Sequence, residues 1–199
     1  GRVSLLVRSR KSPFVCVGGP SGGSVINTRT NERRQLVDYQ VLAAVFDDER
    51  QVLALAGASP NVELWSMRTW LRLGTIAVHP EGCLGLAFSA DGRRLATMGY
   101  DKHIRLWDVA SAGWDSVPTA SQTESNAGSG QRAGFSIRAS HNPPTDESAD
   151  HFVGGTFSAD SKRLLRYEES GLLQVFNLES RRPEGAAIDT GNTLFARFS

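Results

Sequence analysis

Thr97, His79 and Asp101 are the residue types of a nucleophile, a general base and an orienting carboxylate. Brought together, they could carry out acyl-transfer chemistry of the hydroxyl–imidazole–carboxylate kind. No nucleophile elbow and no paired-carboxylate motif accompanies them. Gly18-Gly19-Pro20-Ser21-Gly22-Gly23 is glycine-rich but lacks the Lys-Ser/Thr that follows in a phosphate loop, so it reads as a turn between strands. His79, His103, His141 and His151 have no metal-ligand spacing, and neither a metal nor a cofactor is expected. Cys16 and Cys83 sit in or beside apolar runs and read as buried thiols. Two cysteines cannot build a disulfide scaffold, which suits a reducing, cytoplasmic compartment.

The elements that would position these groups come in copies. Phe88-Ser89-Ala90-Asp91-Gly92-Arg93-Arg94-Leu95 returns as Phe157-Ser158-Ala159-Asp160-Ser161-Lys162-Arg163-Leu164, and Phe46-Asp47-Asp48-Glu49-Arg50-Gln51-Val52-Leu53 is a weaker version. A second landmark follows each at one distance: Trp65 after Phe46, Trp107 after Phe88 and Phe176 after Phe157 are all 19 residues on. Two landmarks in one register define a repeat. Leu84–Phe88, Arg94–Met98 and His103–Trp107 are short alternating runs split by Asp91-Gly92 and by the stretch from Gly99, so each repeat predicts three or four antiparallel strands. No segment keeps a helical period for three turns. One such sheet cannot bury both faces, and radial stacking of several solves this.

Composition agrees with a packed chain. Hydrophobic residues make up 40% of the 199 residues, enough for a substantial core. The formal net charge of +1 lacks the basic excess of a nucleic-acid binder, and no apolar run approaches the ~20 residues of a membrane span. The chain opens Gly1-Arg2-Val3 without Met and stops at Phe198-Ser199 inside an alternating run, as expected for a piece of a longer protein.

With its repeat of about 42 residues, the sequence resembles the WD40 family of β-propellers. The copy that carries the likeness has His79, then Phe88-Ser89-Ala90-Asp91-Gly92, Leu95-Ala96-Thr97, Asp101 and Trp107-Asp108. The Phe-Ser-Ala-Asp-Gly-Arg-Arg-Leu-Ala wording resembles bacterial members. The resemblance implies an all-β fold of four-stranded antiparallel blades, about four of a usual seven. The expected blades are residues 3–37, 41–76, 84–150 and 151–190, with a fifth opening at 193–199.

The resemblance also implies a structural tetrad. Asp101 would accept from the His79 imidazole, whose other nitrogen would face the Thr97 hydroxyl, which would face the Trp107 indole N–H. Every donor then has an acceptor. The other copies depart from the pattern. Val37, Leu55 and Ser59 fall at the His, Thr and Asp positions of one, and Ser148, Arg166 and Ser170 at those of another. Those blades are expected to rest on apolar packing.

Residues 113–150 contain an insertion, polar at Ser116–Ser129 and broken again at Asn142–Ser148, with Gly134–Arg138 a candidate outer strand. It reads as a surface loop or as a partner-binding loop on a rigid scaffold. Trp70 and Trp114 read as outer-strand packing residues or as exposed anchors for a partner. If a–b and c–d turns share one face, that face carries more cations than carboxylates. The insertion-bearing face is the acidic one, with Glu81, Asp146, Glu147, Glu168 and Glu169 as the candidate surface for a basic partner. The expected function is non-catalytic: a scaffold or adaptor for other proteins, whose identity the residues do not give, with no nucleic acid or membrane span. The alternative is a sensory or regulatory propeller of a larger enzyme, such as a kinase, protease or NTPase.

Overall fold

Why the repeat landmarks keep their spacing is visible in strand register. Phe46 pairs with Leu53, Phe88 with Leu95 and Phe157 with Leu164. On the next strand Leu53 pairs with Trp65, Leu95 with Trp107 and Leu164 with Phe176. A constant 19 residues along the chain therefore becomes a straight row of three side chains across three strands. Leu53, Leu95 and Leu164 at the centres of the rows are each 0% exposed.

The computed structural model describes residues 3–101, 103–109, 138–141, 152–168, 171–180 and 182–191. Among these there are sixteen strands and no helix. The first sheet is β1 (Leu5–Arg8), β2 (Phe14–Gly19), β3 (Gly22–Asn27) and β4 (Arg33–Val37). The second is β5 (Val41–Asp47), β6 (Val52–Gly57), β7 (Ser59–Ser66) and β8 (Arg72–Ala77). The third is β9 (Cys83–Phe88), β10 (Arg94–Gly99), β11 (Ile104–Asp108) and β12 (Arg138–His141). The fourth is β13 (Phe152–Phe157), β14 (Arg163–Glu168), β15 (Leu172–Asn177) and β16 (Arg182–Asp189). Each is an antiparallel meander whose strands pair in chain order. Pro183, which has no N–H for the ladder, falls on the outer strand β16, where a sheet tolerates it.

The first strands of successive sheets lie against each other, β1 on β5, β5 on β9 and β9 on β13. Three apolar layers fill the gaps. Val37, Val41, Leu53, Leu55, Met67 and Cys16 pack between the first two sheets. Ala54, Val62, Leu64, Cys83, Leu95 and Trp107 pack between the second and third, and Met98, Ile104, Leu106, Phe157 and Leu164 between the third and fourth. This is the layered solution to a sheet with two faces to bury, and the chain is all-β with WD40-type blades.

Of the expected outer strand at 134–138, Arg138 is the residue the structure describes, and it opens β12. The strand that pairs with β11 is Arg138–His141, with Ala139 opposite Trp107 and a register shift beside it. Residues 134–137, most of the 113–150 insertion and the fifth-blade segment 193–199 lie outside the described residues. The glycine-rich run is the β2–β3 turn, with Gly19 paired to Gly22. No helix among the described residues is long and apolar enough to cross a membrane.

Leu95→Ala is expected to lower the unfolding free energy by about 2–5 kcal/mol, because it empties the centre of a buried row. Leu6, 67% exposed on β1, is the control, and Leu6→Ala is expected to change stability by less than about 0.5 kcal/mol. Urea unfolding of the two variants measures the difference.

Candidate functional site

The third sheet builds the polar site. β10 supplies Thr97, β11 supplies Trp107, the turn between them supplies Asp101, and the approach to β9 supplies His79. His79 Nδ1 lies 2.8 Å from Asp101 Oδ1, and His79 Nε2 lies 2.9 Å from Thr97 Oγ1. The Trp107 indole N–H donates to Thr97 Oγ1 at 3.0 Å. The structure thus brings together His79, Thr97, Asp101 and Trp107, four residues spread over 29 positions of the chain.

Donor counting fixes the proton positions. The Asp101 carboxylate can only accept, so Nδ1 carries the ring proton; burial favours the uncharged ring, so Nε2 is bare and accepts from the Thr97 hydroxyl. That is the neutral imidazole. Burial pushes the His79 pKa down; Asp101 opposes this and the Arg105 guanidinium adds to it, leaving the net shift downward. The ring is closely walled. A methyl group on Gly99 would stand 2.3 Å from His79 Cγ and 2.7 Å from Asp101 Oδ1, so this position has no room for a side chain.

Arg105 is the member that the sequence reading missed. Its Nη1 donates to Asp101 Oδ2 at 2.5 Å and also touches His79 Nδ1. The backbone N–H of His103 donates to Asp101 Oδ1 at 3.2 Å. Burial alone would raise the Asp101 carboxyl, but the hydrogen bonds from Arg105 and His79 outweigh it and hold the group below the usual carboxylate range. Strand alternation alone does not mark Arg105; the register does, setting it directly opposite Thr97.

The other sheets replace this network. In the second, Val37 is 6% and Leu55 0% exposed, both inside the apolar layer. Glu63 takes the place that Arg105 has in the third sheet, opposite Leu55, with Arg72 at 3.8 Å. Burial pushes the Glu63 carboxyl up, against Arg72, Trp65 and Tyr39, which favour its charged form. In the fourth, Arg166 is 5% exposed with its guanidinium carbon 5.0 Å from the centre of the Phe176 ring. Ser148 and Ser170 lie outside the described residues.

The remaining candidates separate. Trp70 is not a free anchor: it packs edge-on against Phe14, ring centres 4.8 Å apart, between the first two sheets. Trp114 lies outside the described residues. Cys16 and Cys83 are free thiols, both 0% exposed, and burial pushes each up to about 12. Glu81 is exposed. Asp146, Glu147 and Glu169 lie outside the described residues, as does the side chain of Glu168, which ends β14. Among the described residues no group of three His, Cys, Asp or Glu side chains is placed to hold a metal ion.

No protein-family model matches the chain. Protein HIR1 of Chaetomium globosum is 31% identical over 83 residues, 42% of this chain and 8% of that protein. The periodic tryptophan protein 2 homolog of Schizosaccharomyces pombe is 31% identical over 87 residues, 43% of this chain and 10% of that protein. Centriole proteome protein 16 of Chlamydomonas reinhardtii is 32% identical over 152 residues, 71% of this chain and 7% of that protein. The first two are WD40-repeat proteins. The chain spans a tenth or less of the length of each of these relatives.

Both titrations of the network point one way. His79 has its folded pKa lowered, so its contribution is complete above the unfolded value of about 6.5 and declines as pH falls below it. Asp101 is also lowered, so its contribution is present above the ordinary aspartate value of 3.8 and is lost as pH falls through the folded value. Urea unfolding at pH 8 and pH 5.5 is expected to show lower stability at pH 5.5. His79→Gln is expected to cost about 1–3 kcal/mol at pH 8 and to shrink the difference between the two pH values.

Proposed function

We propose that this chain is a non-catalytic propeller platform that binds other proteins. The single observation that supports this most is the closure of the Thr97–His79–Asp101 set on itself. The His79 side chain is 0% exposed, both ring nitrogens are engaged, and the Thr97 hydroxyl is shared with Trp107. A nucleophile needs a lone pair aimed at a substrate, and a general base needs room beside it. Here the hydroxyl and the imidazole are spent on each other and on their neighbours. Binding on such a scaffold proceeds by shape and charge complementarity over rigid faces, without turnover.

The surface we assign to a partner is the acidic, insertion-bearing one, with Glu81, Asp146, Glu147, Glu168 and Glu169. The partner class is a basic protein segment. The two buried, unpaired thiols suit a reducing, cytoplasmic setting. The wording of the turns, Ser89-Ala90-Asp91-Gly92-Arg93-Arg94, leaves a second reading: a bacterial-type regulatory propeller attached to a kinase, protease or NTPase. The two readings share the binding step and differ in what lies beyond it.

An oligo-lysine peptide is the probe for the acidic surface. Glu168→Lys with Glu169→Lys is expected to slow its association about tenfold at low salt, with the difference shrinking as salt is raised. Stopped-flow association rates measure this, and an unchanged on-rate would reject the assignment.

A further inference from the structure

The edge of the sheets that carries the β1–β2, β5–β6, β9–β10 and β13–β14 turns is joined into one strip by hydrogen bonds from blade to blade. Ser9 Oγ and the backbone N–H groups of Arg10 and Lys11 donate to Asp48, the amides at 2.8 and 3.3 Å. Arg50 Nη2 donates to the Asp91 carbonyl at 3.2 Å. The Asp91 N–H donates to Ser161 Oγ at 3.2 Å. Four turns from four blades therefore stand in fixed order.

Turn chemistry distributes the charges of this strip unequally. Ser89 Oγ and the Arg93 N–H both donate to Asp91 Oδ1, at 2.6 and 3.0 Å. Ser158 Oγ and the Lys162 N–H do the same to Asp160 Oδ1. Asp47 accepts from the Glu49 and Arg50 amides and from the Arg50 side chain, each at 3.1 Å. Glu49 pairs with Lys11 and Glu184 with Arg163. The carboxylates are spent on turn amides, hydroxyls and three of the cations, Lys11, Arg50 and Arg163. Arg93, Arg94 and Lys162 are exposed, and among the described residues none of them forms an ion pair. Asp108 is Arg94's cross-strand neighbour and is the nearest acid in the register.

We propose that this turn edge is a second interaction surface, in which Arg93, Arg94 and Lys162 bind an acidic segment of a partner protein. The inference rests on the reading of the chain as a binding platform, but it concerns the opposite face and the opposite charge. The interleaved carboxylates decide the class of partner. A nucleic acid presents a stiff row of phosphates and would meet Asp91, Asp160 and Asp108 along the strip, whereas the flexible side chains of an acidic peptide can bring carboxylates to the cations singly. Arginine suits this task, because its planar fork takes a carboxylate bidentately.

An oligo-glutamate peptide is the probe, titrated against the full 199-residue chain with a single-stranded oligonucleotide as competitor. Arg93→Glu with Lys162→Glu is expected to raise the peptide Kd about tenfold or more and to flatten its salt dependence, while Asp38→Lys, exposed between β4 and β5, leaves it unchanged. Arg93→Gln with Lys162→Gln removes the two charges without reversing them should the reversed pair fail to fold, and is expected to weaken binding about threefold. No oligo-glutamate binding, binding insensitive to both pairs, or tighter binding of the oligonucleotide at the same residues would each overturn the proposal. If oligo-lysine binds and oligo-glutamate does not, this inference fails while the platform reading stands. If neither binds, both fail.

Discussion

Each four-stranded sheet in this chain has two faces to keep from water, and the row of Phe, Leu and Trp or Phe across its inner strands is how neighbouring sheets do it. Leu53, Leu95 and Leu164 sit at the centres of these rows, fully buried. Burying a leucine contributes about 1.5–3 kcal/mol in transfer terms, and each row carries an aromatic on either side. No sheet is complete by itself, so the stacking makes the arrangement cooperative along the chain. The first strands come together, and the turns that precede each central leucine are pressed into one strip.

The polar network of the third sheet is an addition to this apolar scheme. A buried imidazole, hydroxyl, indole N–H and carboxylate are costly unless every donor finds an acceptor. Here they do, through a neutral His79, and Arg105 supplies the counter-charge that Asp101 would otherwise lack. The second sheet reaches the same packing with Val37 and Leu55 and carries a carboxylate, Glu63, where the third has Arg105. The fourth carries Arg166 against Phe176. The network is therefore dispensable to the fold class. What it adds is specificity, by fixing the approach to β9 against β10 and β11.

The repeat was legible because it is written twice, once in Phe-Ser-x-Asp and again in the residue 19 positions on, and both landmarks lie in one cross-strand row. His79, Thr97, Asp101 and Trp107 are singled out by the family resemblance, and of the four only Trp107 is itself a repeat landmark. Arg105 was not legible, because an arginine inside a strand reads as a solvent-facing alternation until the register sets it opposite Thr97. Trp70 was ambiguous because it closes the β7–β8 turn with its own φ at +55°, and local pattern does not say that Phe14 of the preceding sheet will meet it. The register of the outer strand β12 was not legible, because an insertion separates it from β11 and no repeat landmark fixes it. The charges of each turn were countable in the sequence, but not which carboxylates would be spent on turn amides.

The central claim is that the Thr97–His79–Asp101 set is closed, neutral and structural. The direct measurement is the ¹⁵N NMR titration of the His79 imidazole in the intact chain. The account predicts a single neutral tautomer with the proton on Nδ1, unchanged from pH 8 to below 6.5. It also predicts a Trp107 indole N–H that exchanges slowly with solvent. An imidazole that titrates at or above 6.5, with the tautomer mixture of a free ring, would contradict it and return these residues to the candidates for catalysis.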